Sequence, residues 1–294
     1  MTTIAGAGEA ALLDLIKPYL TTKGIAISAG EDDAAALEDH GAYTVASSDM
    51  AVEGVHFDLS WMSPEDAGWR ALALALGDLA AKGATPRWSL TSIAVPKTWS
   101  TDNFVGLFRG IHELAQKMHL RIVGGDMSAI EGPAVLSITV TGSAAHEPLP
   151  RSAAKPGWVV AVTGPLGAAA TALRQRKVLR FEPRLEVGKR LNELGLCCGD
   201  ISDGLVREME KFKTMSGAGC LLRALDVPVA AGATWQDALT SGEEAELVCT
   251  GPEAVIRRAG LKAVGVMTAE RDVIVTGAEG VPVEIPLRGY DHFA

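Results

Sequence analysis

Five short segments of this 294-residue chain set aspartate beside glycine, serine or another acid at the ends of apolar runs. They are Gly30-Glu31-Asp32-Asp33, Ser47-Ser48-Asp49, Gly77-Asp78, Gly124-Gly125-Asp126 and Gly199-Asp200-Ile201-Ser202-Asp203-Gly204. An acid that ends a buried strand usually faces a cleft, because an ionised carboxylate is too costly to bury unpaired. Converging carboxylates repel by roughly 4 kcal/mol per pair at about 4 Å and an effective dielectric of about 20. Something cationic must then hold them together. Oxygen ligands without a His/Cys cluster point to magnesium, which takes a few carboxylates and shares its remaining shell with water and substrate phosphates.

Each segment also has a plainer reading. Asp78 interrupts Ala71–Ala81, a helix apolar on nearly every face and therefore buried, so its carboxylate needs a cation or several donors. An arginine such as Arg70 or Arg87 would serve as well as a metal. Asp32-Asp33 alone reads as a solvated turn, and Asp49 as a turn or helix cap. Gly124-Gly125-Asp126 is ordinary turn chemistry, or else backbone N–H groups open to an anion with an acid beside them. Ser202 and Asp203 stand where a helix would be capped. Five such signals together outweigh the plain reading of each. His56, in Glu53-Gly54-Val55-His56-Phe57, is the histidine nearest the acidic motifs.

Composition bounds the rest. Nearly half the residues are apolar (48%) and 21% are charged, the profile of a globular protein with ample core. A net charge of −9 argues against nucleic acid and anionic membranes as partners. The same charge would repel a phosphate ligand, so acidity and phosphate chemistry are compatible only with divalent cations. Cys197, Cys198, Cys220 and Cys249 lack CxxC spacing and read as free, buried thiols of a cytoplasmic protein. The first twenty residues contain Glu9 and Asp14 and no basic segment, unlike a signal peptide. Walker, GxGxxG, GxSxG and HExxH patterns are all missing from the sequence.

The elements that must position these acids alternate between strand and helix. Ala10–Leu20 has helical spacing. Ser63-Pro64-Glu65-Asp66 opens a helix with a serine cap, a first-turn proline and acids, and that helix should stop at Gly83. Strands are expected over 43–48, ending at Asp49, and over 88–95, 121–123, 134–141, 158–163, 245–250, 263–267 and 273–276. Helices are expected over 101–118, 168–175, 183–194, 205–215 and 252–259. The Pro- and charge-rich stretch 146–157 separates a domain of residues 1–145 from one of 146–294. This indicates an α/β or mixed α+β protein of two lobes.

The motifs, in order along nearly the whole chain, resemble the thiamine-monophosphate kinase family of the aminoimidazole-ribonucleotide-synthetase-like superfamily. The specific parts are Val52-Glu53-Gly54-Val55-His56-Phe57 and the terminal Gly289-Tyr290-Asp291-His292-Phe293. Asp32-Asp33-Ala34-Ala35, Asp78-Leu79-Ala80-Ala81, Arg151-Ser152-Ala153-Ala154-Lys155-Pro156-Gly157 and the Gly-Gly-Asp and Asp-Ile-Ser-Asp-Gly elements also fit. The resemblance implies transfer of the ATP γ-phosphoryl group onto thiamine monophosphate. It implies a site of several magnesium ions on Asp32, Ser47, Ser48, Asp49, Asp78, Asp126, Asp200 and Asp203, with Asp49, Asp126 and Asp203 closest to the chemistry. Gly125, Asp126, Arg151 and Ser202 would contact ATP, His56 the thiamine phosphate, and Glu243 and Tyr290 the thiamine rings. The implied fold is an N-terminal α/β domain that forms a homodimer through its strands, a C-terminal α/β domain, and a site in the cleft between them.

The sequence departs from the family pattern at Glu31, at Gly77 before Asp78, at Lys82 in place of a methionine, and at Glu244-Ala245 after Glu243. The alternatives are another ATP-dependent enzyme of the superfamily with a different acceptor, or a silent nucleotide- or thiamine-phosphate-binding protein. A selenophosphate synthetase would need an N-terminal cysteine, and none precedes Cys197; a hydrogenase-maturation relative would end in cysteine, not His292-Phe293-Ala294. If Asp49 serves metal, Asp49→Asn lowers turnover far more than thermal stability. Matched losses in a rate assay and a melting curve would assign it a structural role.

Overall fold

The computed structural model describes residues 25–27, 32, 35–39, 42–286 and 288–292. The expected helix over 10–20 and the Asp33 carboxylate lie outside them. Two six-stranded sheets organise the chain. The first contains β1 (Ile25–Ile27), β2 (Ala35–Asp39), β3 (Ala42–Val52), β4 (Thr85–Pro96), β5 (Arg121–Ile130) and β6 (Val135–Ala144). Their order is β1-β2-β3-β6-β4-β5, antiparallel except for β4 with β5. The second contains β7 (Val159–Val162), β8 (Cys197–Asp200), β9 (Gly219–Arg223), β10 (Leu247–Gly251), β11 (Lys262–Thr268) and β12 (Val273–Thr276). Here the order is β12-β9-β11-β7-β10-β8, antiparallel except for β9 with β12. The fold is therefore mixed α+β, with two lobes.

Seven α-helices accompany the sheets among the described residues: α1 (Pro64–Ala81), α2 (Thr101–Lys117), α3 (Ala168–Arg174), α4 (Leu185–Glu193), α5 (Leu205–Ser216), α6 (Trp235–Thr240) and α7 (Glu253–Ala259). Helix α1 positions the site. The Ser63 hydroxyl accepts the Asp66 N–H at 3.1 Å, and Pro64 occupies the first turn. The helix ends where Gly83 turns into the left-handed region at φ +64°. Between these ends Leu72, Leu76 and Leu79 are fully buried.

Helix α1 packs on α2, β3 and β6 from one side and on α4 and β8 from the other. Three glycines allow these approaches. A Cβ at Gly68 would stand 2.0 Å from the Leu107 carbonyl oxygen, one at Gly110 1.9 Å from that of Glu65, and one at Gly188 1.9 Å from that of Ala80. One apolar core runs through Leu76, Ile138, Cys198 and Leu247, so the lobes share buried surface rather than merely touching. None of the helices is long and apolar enough to cross a membrane among the described residues.

Two expectations change. Strand β3 continues past Ser48 to Val52, so Asp49 lies within the strand, opposite Ile138 of β6. Gly124-Gly125-Asp126 is not a turn but the middle of β5, because parallel pairing with Leu90, Thr91 and Ser92 of β4 satisfies its backbone. A Cβ at Gly125 would lie 1.7 Å from the Thr91 carbonyl oxygen, so that glycine serves the sheet.

Gly110→Ala drives a methyl into the backbone of α1 and is expected to cost about 1–3 kcal/mol. Urea unfolding measures it, and an unchanged midpoint would contradict the α1–α2 contact.

Candidate active site

A cleft of about 1110 Å³ opens where β3, α1, α3, the β8–α5 turn, residues 240–243 and residues 289–292 meet. Ser47, Ser48, Asp49, His56, Asp78, Asp200, Ser202, Asp203, Glu243 and Tyr290 all line it. At one end, strand β3 and helix α1 face each other. The Ser47 hydroxyl donates to Asp78 Oδ2. Asp78 is only 7% exposed, yet it reaches the cleft wall. The arginine foreseen as its partner goes elsewhere: Arg70 pairs with Glu243 and donates from Nε to the His56 carbonyl at 3.3 Å. Ser48 is tied to β6, accepting the Thr139 hydroxyl at 3.0 Å.

Asp200 ends β8 beside α1. A Cβ added at Gly77 would lie 3.4 Å from Asp200 Oδ2, which places that carboxylate next to the turn carrying Asp78. Gly204, at φ +108°, then starts α5. Asp203 accepts the Lys211 ammonium at 2.8 Å, and Lys211 also lies 3.6 Å from Glu208. Backbone bonds lock this turn to two distant segments. The Glu243 N–H donates to the Ser202 carbonyl at 2.7 Å and the Tyr290 N–H to that of Asp203 at 3.1 Å. Glu243 itself stands at φ +58°, a left-handed conformation that costs of order ~1 kcal/mol or more in a non-glycine residue.

Beside Asp203 the cleft lining is aromatic. The His56 and His292 rings lie 5.1 Å apart, and Tyr290 meets His292 edge-on at 4.8 Å. The Val52 N–H donates to His56 Nδ1 at 3.1 Å, so the neutral ring carries its proton on Nε2. Burial, reinforced by His292 and Arg70, lowers the His56 pKa below 6.5. Burial also pushes Arg70 down to about 10, leaving it cationic at neutral pH.

Four expected site residues lie elsewhere. Asp32 accepts Lys82 Nζ at 2.7 Å and Arg151 Nη1 at 2.5 Å, and none of the three side chains is more than 1% exposed. Arg151 completes this buried network through Nε to Glu208 at 2.5 Å. Gly125 and Asp126 lie on the exposed edge strand β5, outside the cleft lining.

Among the described residues the cleft lining holds seven carboxylates against three cations, Arg70, Lys177 and Lys211. Among the described residues no group of three or more His, Cys, Asp or Glu closes around a single ion. The donors are instead oxygens spread along one wall. An open set of that kind suits magnesium, which keeps several waters and completes its shell with phosphate oxygens. Thiolate chemistry has no place here. The cysteines are buried, and burial raises the Cys197, Cys220 and Cys249 thiols, Cys220 to about 12. Sequence reasoning passed over Lys177, Lys211 and His292 as lining residues. Lys211 alone left a signal, standing two helical turns after Asp203 on the helix that Asp203 precedes.

Comparison with known proteins places the chain among relatives. Residues 31–144 match the family model described as AIR synthase related protein, N-terminal domain. The thiamine-monophosphate kinase of Bacillus subtilis is 31% identical over 76% of this chain and 77% of its own length. That of Methanopyrus kandleri is 33% identical over 88% of this chain and 89% of its own. A solved structure of AaThiL complexed with AMPPCP and TMP superposes with a TM-score of 0.86 at 26% identity, covering 99% of both chains.

His56 yields a stability prediction with a definite sign. Its folded pKa lies below the unfolded value of 6.5, so as pH falls through 6.5 the unfolded state takes up the proton first and stability drops. Between about pH 7.5 and about pH 5.5 the wild type is expected to lose more melting temperature than His56→Gln, which cannot titrate. Equal losses would contradict a depressed His56.

Proposed function

The chain belongs to the thiamine-monophosphate kinase family, and from that premise we propose that it transfers the γ-phosphoryl group of ATP onto the phosphate of thiamine monophosphate. A phosphate oxygen of thiamine monophosphate forms the new bond to the γ-phosphorus as the bond to the β–γ bridging oxygen breaks. Thiamine diphosphate and ADP result. The observation that carries this reading is the cleft itself. Ser47, Asp49, Asp78, Asp200 and Asp203, from three separate stretches of chain, share it with His56, Glu243 and Tyr290.

Magnesium bound there would neutralise the charge of the transferring phosphates. Asp49, Asp78, Asp200 and Asp203, with the Ser47 and Ser48 hydroxyls, are the residues that would hold it. Ser202, in the same turn as Asp203, would face the nucleotide. Lys177 and Lys211 add positive charge to the cleft lining, and Lys211 also holds Asp203 in place. Neutral His56 offers its Nε2–H to the acceptor phosphate, while Glu243, oriented by Arg70, and Tyr290 receive the thiamine rings. The acceptor is already a phosphate whose second pKa is about 6, so no general base has to remove a proton. Alignment and charge neutralisation suffice, and no phospho-enzyme forms. Asp32, Gly125, Asp126 and Arg151 lie outside the cleft and are given no part in this assignment.

Residues 1–145 and 146–294 form the two domains of the proposal, supported by the end of the first sheet at Ala144 and the start of the second at Val159. A homodimer through the first is supported by β5. That edge strand leaves Met127 69% and Val123 58% exposed, a surface that a second copy would cover. The cytoplasm, where ATP is available, is the compartment that fits this chemistry.

Incubation with ATP, magnesium and thiamine monophosphate is expected to yield thiamine diphosphate, and a chelator should abolish the product. Turnover of a different acceptor alone would point to another member of the superfamily. Tight binding of thiamine monophosphate and nucleotide without turnover would identify a silent homologue.

A further inference from the structure

The buried network at Asp32 changes what the metal site can be, on the reading that the cleft takes a magnesium nucleotide. Both Asp32 oxygens are already engaged. Oδ1 accepts Lys82 Nζ at 2.7 Å and Arg151 Nη1 at 2.5 Å, while Oδ2 accepts the Arg151 backbone N–H at 2.7 Å. The Asp32 and Lys82 side chains have no solvent exposure, and neither residue lines the cleft. Lys82 also donates to the Cys198 carbonyl at 2.7 Å, two residues before Asp200 on β8. A divalent cation bound to Asp32 at about 2.0–2.1 Å would sit beside an ammonium on the same oxygen, in a dry pocket where that repulsion is least screened.

We propose that Lys82 and Arg151 together permanently occupy the oxygens of Asp32, so that Asp32 joins the two lobes and the divalent ions are gathered by the cleft aspartates alone. The ammonium is part of the fold and needs no metal supply. It neutralises Asp32 and fixes β8, so Asp200 arrives at the cleft already positioned. In this chain Asp32 and Lys82 are positioning residues, and Asp32 adds no ion to the metal complement.

The test counts ions directly. Mn2+ bound per chain is measured by electron paramagnetic resonance in the presence of a non-hydrolysable ATP analogue. Lys82→Met removes the ammonium but leaves Arg151 as a buried partner for the carboxylate, so the variant should fold. It is expected to keep the wild-type Mn2+ count, because Arg151 still holds both Asp32 oxygens, while melting at a lower temperature. Asp32→Asn alone, where circular dichroism shows it folded, is likewise expected to keep the wild-type count while melting at a lower temperature. The proposal is overturned if Lys82→Met gains an ion, or if folded Asp32→Asn binds one fewer than wild type. The ion count is independent of the acceptor. Failure of the wild type to make thiamine diphosphate would remove the kinase reading and leave this result standing.

Discussion

Like charges gathered from distant parts of a chain must be neutralised where they meet, and that constraint shapes this molecule. The carboxylates of β3, α1 and the β8–α5 turn converge on one cleft, and the protein supplies cations and hydroxyls to meet them. Lys211 answers Asp203, Arg70 answers Glu243, and the Ser47 hydroxyl donates to Asp78. Beneath the cleft, Asp32 and Glu208 are matched by Lys82 and Arg151 in full burial. Removing one member of such a buried pair costs about 3–5 kcal/mol, because the survivor keeps its desolvation penalty. The network therefore joins the lobes alongside the shared apolar core. Inside the cleft, by contrast, fixed cations are fewer than carboxylates. That deficit makes an acidic wall suitable for phosphates once divalent ions are present.

The same economy of space appears in the backbone. Helix α1 packs closely on α2 and α4 because Gly68, Gly110 and Gly188 remove the side chains that would hold its neighbours away. Gly199 does the same for the ion network: a Cβ there would meet Glu208 Oε1 at 2.0 Å and Arg151 Nη2 at 3.0 Å. Around Ser202 and Asp203, backbone hydrogen bonds to Glu243 and Tyr290 hold three distant segments in one place. The left-handed backbone at Glu243 is strain borne by this arrangement, at the point where the carboxylate turns toward Arg70.

Local chemistry was legible from the sequence and long-range pairing was not. The limits of α1 follow from Ser63, Pro64 and Gly83, and the structure starts and stops the helix there. Asp78 could be read as a buried acid needing a partner, but nothing local distinguished the Ser47 hydroxyl from an arginine. Strand β8 escaped notice because Cys197-Cys198-Gly199-Asp200 is buried on both faces and shows no alternation. Strand β9 and helix α6, at five and six residues, were likewise too short to show a period. Asp32 and Arg151 fit a ligand pattern by type, yet they lie 119 residues apart and bind each other. Gly124-Gly125-Asp126 misled for a related reason. Turn-forming residues were read by propensity, whereas parallel pairing with β4 keeps them extended.

Calorimetric titration of a non-hydrolysable ATP analogue, with and without magnesium, tests the central claim most directly. The account predicts that the cleft binds the triphosphate at least tenfold more tightly when magnesium is present, because its carboxylates outnumber its fixed cations. Equal affinity in the two titrations would mean that the cleft accepts phosphate without divalent ions, and the account would fail.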